Sequence, residues 1–276
     1  MLLASYRFGP ELDKPILLPI YSPSGFMITR GWPVLQTEGE TQDHKHHKGL
    51  WFAYRKVNDE DFWLEQASAA HIKHIKPAKI EAGQNSGRLS TLSHWIGKTG
   101  RVLLEEKRDM TFYTQDNQYT IDFEIILTAR NDDVTFTDHK DGLFAIQVAD
   151  WLRESTGTGT YFNANGDTGA KDTWGKRAKW VCLQGKKDGK VVGIAILNHP
   201  ASVNYPAYWH TRAYGLFSAN PLGQYVFQTK TGQAKPVPLN FKIPAGQNRR
   251  FRFRVIIYEG TQTRENIEKQ FQQFVK

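Results

Sequence analysis

Apolar and polar residues alternate with a period of two over long stretches of this 276-residue chain. Tyr119, Ile121, Phe123, Ile125, Leu127 and Ala129 are set against Thr120, Asp122, Glu124 and Thr128, which predicts a strand with one buried face. Phe251, Phe253, Val255 and Ile257 alternate with Arg252 and Arg254 in the same way. Residues 102–113 mix Leu104, Met110 and Phe112 with charged neighbours, as a half-exposed strand does. Shorter runs at 15–21, 26–29, 50–54, 144–148 and 191–197 carry β-branched or aromatic residues between Gly, Pro and Asn breaks. Turn signals at 23–25, 84–87 and 187–189 divide these segments.

A helical period shows itself at the end of the chain. Ile267, Phe271, Phe274 and Val275 fall at i, i+4, i+7 and i+8, after Gly260 and two threonines able to cap the start, which predicts a helix over about 262–275. The whole reads as one all-β domain over 1–276, a large antiparallel sandwich or barrel with a C-terminal helix.

Composition narrows the classes of function. The longest apolar run, Val191–Leu197, is far too short for a membrane-spanning helix, so a membrane role is not expected. The net charge of +8 is spread along the chain, and nucleic acid is therefore not the expected partner. One cysteine, Cys182, excludes an internal disulfide and a multi-cysteine zinc site. No basic and apolar leader opens the chain, which favours the cytoplasm, with the periplasm or secretion as alternatives if a leader has been removed.

Two groups carry candidate chemistry. The first is Asp43-His44-Lys45-His46-His47-Lys48-Gly49, followed by Trp51. On a regular strand His44 and His46 would face one way and His47 the other, whereas a bulge or loop would bring all three together. Such imidazoles suit acid–base work or hydrogen bonding to sugar hydroxyls. An i, i+2 pair also suits a divalent metal, so His44 and His46 form the alternative metal reading, and a plain polar loop is the third. No cofactor is otherwise expected. The second group runs from Tyr205 to Pro221, where His210 and Arg212 would share a strand face with Tyr208 and Tyr214 alongside. Arginine grips a carboxylate or sugar oxygens with a planar fork, and aromatic rings stack on sugars. Tryptophans and glycines around Trp174, and the Asp61-Phe62-Trp63 segment, suit the borders of a saccharide groove.

The segments His44 to Phe52, Asp61-Phe62-Trp63, Trp174 to Val181 and Tyr205 to Pro221 together resemble the bacterial PmoA-like family. That family takes its name from a methane monooxygenase subunit, an integral membrane protein that this hydropathy does not fit. The family in turn resembles the galactose-mutarotase type of β-supersandwich, a fold of sugar epimerases and polysaccharide lyases. The resemblance implies a histidine acid, a role open to His210 or to one of His44, His46 and His47. The expectation is thus a carbohydrate-acting enzyme of epimerase or lyase type, with His46, His47 and His210 moving protons. Arg212, His44, Trp51, Asp61, Trp174, Trp209 and Asn220 would bind a mono- or oligosaccharide. The alternatives are a non-catalytic carbohydrate-binding protein and a metal-dependent enzyme built on His44 and His46.

Overall fold

In the computed structural model, residues 2–65 and 70–276 are described, with only the backbone of Pro77 and Ala78. Two antiparallel sheets hold most of the strand residues. The short sheet has six strands in the order Ala4–Arg7, Ile16–Ile20, Leu50–Tyr54, Gly142–Gln147, Leu216–Asn220 and Tyr208–Thr211. The long sheet has eight, in the order Thr160–Asn163, Trp180–Lys187, Lys190–Asn198, Asn248–Glu259, Gln118–Ala129, Val102–Gln115, Ser86–Ile96 and His71–Ala82. Val134–Phe136 and Phe241–Ile243 form a separate pair. This is the expected all-β class, with large antiparallel sheets and a terminal helix.

The alternation read at 119–129 and 251–257 has its cause here. Those segments lie side by side, Phe253 opposite Phe123 and Val255 opposite Ile121, and their apolar positions form the inner face of the long sheet. The short sheet answers with Phe52, Phe144, Phe217 and Trp209. Phe144 stacks on Phe253 at 4.5 Å and Phe52 meets Phe251 at 5.7 Å, which places those residues between the sheets. One core cluster spans both inner faces. Residues 26–29 differ from expectation: they make isolated bridges, Met27 to Tyr21 and Thr29 to Val148, and form no strand.

Three α-helices, α1 (Ala170–Thr173), α2 (Gln224–Lys230) and α3 (Arg264–Phe274), and a 3-10 turn at Asp150–Leu152 complete the secondary structure of the described residues. Thr263 caps α3 by accepting from Asn266 N, and Ile267, Phe271 and Phe274 are buried as its period predicted. They cover Cys182, Ala195, Leu197, Ile256 and Tyr258 on the outer face of the long sheet.

Candidate active site

The outer face of the short sheet is built differently. Because side chains alternate across a strand, the register that sends Phe52, Phe144 and Trp209 inward sends Trp51, Ala145, Ser218 and His210 outward in one row across four strands. Gln147 lies on the same outer face. This face is polar yet buried, because loops fold over it.

The first loop carries the three histidines. Residues 43–48 form a turn rather than a strand, closed by His47 N donating to His44 O at 2.8 Å. The turn brings the rings together, with His44 stacked on His47 at 5.0 Å and His46 edge-on to His47 at 4.3 Å. Two features impose this shape. Gly49 sits at φ +58°, where a Cβ would lie 2.3 Å from Leu17 O, so only glycine lets the turn enter its strand. Arg30, fully buried, donates to His44 O at 3.0 Å and to His47 O at 3.1 Å, and pairs with Asp43.

Within the turn the imidazoles differ. His47 Nδ1 lies 3.2 Å from Gln147 Oε1, while Gln147 Nε2 donates to Tyr214 O at 2.8 Å. That fixes the amide, so Nδ1 carries the proton of His47 and Nε2 is the basic nitrogen. Burial pushes His47 well below the ordinary imidazole range. Burial and the nearby Lys14 ammonium pull His46 down to about 4, and its half-exposed ring makes no hydrogen bond among the described residues. Both are neutral near pH 7. His44 is exposed, 3.3 Å from an Asp43 carboxylate oxygen, and stacks on Tyr214 at 4.6 Å. Among the described residues a cavity of about 900 Å³ opens beside the turn, with Lys45, Lys14, Glu65, His71 and His74 in its wall. No three His, Cys, Asp or Glu side chains converge as a metal set among those residues.

The second group packs against the first through Tyr214. Arg212 Nε donates to His210 Nε2 at 3.0 Å, which leaves His210 Nδ1 to donate to Lys140 O at 3.2 Å. Arg212 also lies over the Trp174 ring, 5.4 Å from its centroid. Burial lowers His210 to about 3 despite the pull of Asp141. Asp141 is half of a further network: Lys140 Nζ lies 2.6 Å and Arg55 Nη1 2.9 Å from its oxygens. Burial opposes its charge, but Lys140 and Arg55 hold its carboxyl at about 2.

These placements correct several expectations. His210, expected to move a proton, is buried with Nδ1 bonded to Lys140 O and Nε2 to Arg212 Nε. Trp209 faces the core, where its Nε1 donates to Ala178 O at 2.8 Å, and cannot stack on a ligand. Trp51 faces outward but is sealed beneath His47 and Trp63, at 5.3 and 5.1 Å. Asn220 is buried, donating to the carbonyls of His139 and Lys140 and accepting from Leu222 N. Asp61 accepts from the backbone of Trp63 and Leu64 and lies 3.3 Å from Arg55, a support for the loop. His44, His46, Arg212 and Trp174 remain within reach of solvent. Sequence reasoning passed over Arg30, Gln147 and Arg55. Gln147 had a signal, as a lone amide in the apolar run 143–149.

A profile of the DUF6807 family, described as a family of unknown function, matches residues 1–272. The chain belongs to this family. No curated protein matches it. Among solved structures, the DUF6807 chain is similar to the Slr1438 protein of Synechocystis sp. PCC 6803, at 11% identity over 95% of this chain and 97% of that one, with a TM-score of 0.38. It is similar to the GH36 alpha-galactosidase AgaB of Geobacillus stearothermophilus at 12% identity, over 82% of this chain and 31% of that one, with a TM-score of 0.32. A galactose mutarotase related enzyme of Lactobacillus acidophilus shows 9% identity over 94% and 98% of the two chains and a TM-score of 0.32. Likenesses this distant carry no functional argument. The family description and these three neighbours mention no methane monooxygenase.

Proposed function

We propose that this protein is a carbohydrate-acting enzyme in which a neutral histidine moves a proton on a sugar held against the outer face of the short sheet. One observation carries the reading: partly exposed neighbours run from His46 to His44 at 6.0 Å, from His44 to Tyr214 at 4.6 Å, and from Tyr214 to Arg212 lying over Trp174, a wall of a neutral imidazole, stacked rings and an oriented guanidinium in succession. A sugar needs apolar ring faces for its C–H surface and forked donors for its oxygens, and this wall offers both. His46 accepts a proton from a ring carbon, and Arg212 stabilises the negative charge that develops on oxygen. Water then delivers a proton to the opposite face and the His46 imidazolium releases its own to solvent, giving an epimer. Alternatively the electron pair forms a C=C bond as the neighbouring C–O bond breaks, giving elimination, with the leaving oxygen protonated.

Replacing His46 by Gln removes the acceptor with little change in volume. Turnover on the sugar that binds is expected to fall about 10²–10⁴-fold with binding retained. Unchanged turnover would overturn the assignment of His46. One observation favours a non-catalytic carbohydrate-binding protein as the second reading: His47 and His210 use ring nitrogens in purely internal bonds. Saturable sugar binding without any product on prolonged incubation would select it.

A further inference from the structure

Around the histidine turn and the Asp141 loop the arginines are paired with carboxylates. Arg30 pairs with Asp43, Arg153 lies 2.9 Å from Asp150, and Arg55 reaches Asp61 at 3.3 Å and Asp141 at 2.9 Å. Arg212, half-buried between Trp174 and Tyr214, has no carboxylate within 4.0 Å among the described residues. The acid of the neighbouring loop, Asp141, is already taken up by Lys140 and Arg55. The guanidinium is nevertheless oriented, because Nε is tied to His210 and His210 is tied in turn to Lys140 O. Fixing the Nε edge leaves the Nη nitrogens with the Tyr214 hydroxyl beside them and no carboxylate of the described residues to accept from them. Beside the guanidinium Trp174 Nε1 is buried and has no acceptor among the described residues. A partly desolvated cation and an unpartnered N–H are costly to leave unmatched, and hydroxyls match a guanidinium less well than the two oxygens of a carboxylate do.

We propose that the sugar bound at this wall carries a carboxylate, a uronic acid residue in chemical class, which accepts from the Nη nitrogens of Arg212. The inference rests on the saccharide reading above and names the substrate class within it. It also supplies the acidity that the chemistry needs. The ring C–H next to a carboxylate is the one whose proton His46 can take, because its electron pair is drawn into the carboxylate carbon while Arg212 holds the charge gathering on the oxygens. Water protonates the other face while the His46 imidazolium releases its proton to solvent, which inverts C5, or the pair forms C4=C5 as the C4–O bond breaks and that oxygen takes a proton from water. No oxidant or reductant is consumed.

The test is isothermal titration of the full chain with glucuronate, galacturonate and their short oligomers, each beside its neutral parent, with succinate as a carboxylate that is not a sugar. At least one uronate is expected to bind about tenfold or more tighter than its neutral parent, and Arg212→Gln is expected to bring the pair within about twofold. Neutral sugars binding as tightly as uronates would overturn the carboxylate and leave the saccharide reading standing. Succinate binding as well as any uronate would overturn the saccharide reading and keep Arg212 as a carboxylate acceptor. No binding by any probe would overturn both. Should Arg212→Gln not fold, imidazole NMR of the unaltered protein decides. A bound carboxylate favours the charged ring, so a uronate should raise the His46 pKa and its neutral parent should not, and no rise with a uronate that binds would overturn the proposal.

Discussion

The two sheets share one core but close their outer faces by opposite means. On the long sheet, α3 lays Ile267, Phe271 and Phe274 over Cys182, Ile256 and Tyr258, an apolar seal that burial alone stabilises. On the short sheet the outward row of Trp51, Ser218 and His210 is covered by loops, and closure depends on Arg30, Gln147, Asn220 and Asp141 finding their partners. Hydrogen bonds contribute little net stability but are costly to break when buried. The apolar face therefore serves the fold, and the polar face fixes the orientation of side chains that a packed core would not specify.

Acid should separate the two faces most strongly. Burial lowers His46 and His139 to about 4 and His210 to about 3 on the short sheet's side, from an ordinary value of 6.5, against His199 beside Phe274 on the α3 side, also lowered to about 4. Between those values the unfolded chain holds more protons than the folded one, so stability is lost as pH falls from 6.5 toward 4. Asp141, held at about 2, keeps its contribution through this window and loses it only as pH falls further. Hydrogen exchange at pH 7 and pH 4.5 should show amides around 44–54 and 139–147 losing protection well before those of α3. Simultaneous loss on both faces would contradict this order.

Next in size is a pair of substitutions, one on each face. Phe271→Ala opens a cavity under α3 and should cost about 3 kcal/mol in urea unfolding, with sugar binding unchanged in the fraction that is folded. Arg30→Met strips donors from the carbonyls of His44 and His47 and leaves Asp43 without its nearest cation. It should cost about 2 kcal/mol yet weaken binding and turnover far more than Phe271→Ala. If Phe271→Ala damaged binding as much, the division of labour between the faces would be wrong.

The same division explains what the sequence could tell. Segments 119–129 and 251–257 were legible because each has one face in the core and the other held by polar or ionic neighbours such as Arg254 and Asp122, 2.6 Å apart. The terminal helix was legible for the same reason. Within Leu50–Tyr54 and Tyr208–Thr211 every residue is buried, so the alternation that would tell core face from outer face vanishes. The histidine group was visible by its density, but its shape depends on Arg30, which is distant in sequence, and on a clash at Gly49 with Leu17. His210 looked like an acid because its tie to Lys140 O spans 70 positions and leaves no local mark.

Two tryptophans make the finest test. Trp209 and Trp174 were read alike, yet Trp209 lies in the core with its indole N–H bonded to Ala178 O, and Trp174 lies half-buried under Arg212 with its N–H unpartnered. Trp209→Phe loses a buried hydrogen bond and part of a ring, and should cost about 1–2 kcal/mol without touching affinity. Trp174→Phe loses no bond that the fold uses, so its stability should stay within about 0.5 kcal/mol of the parent. Its effect should appear in the titration with a uronate, as a few-fold weakening through the weaker cation–π platform under Arg212. A loss of stability at Trp174 equal to that at Trp209 would mean that the wall is packing after all, and that the polar face holds its side chains for the fold alone.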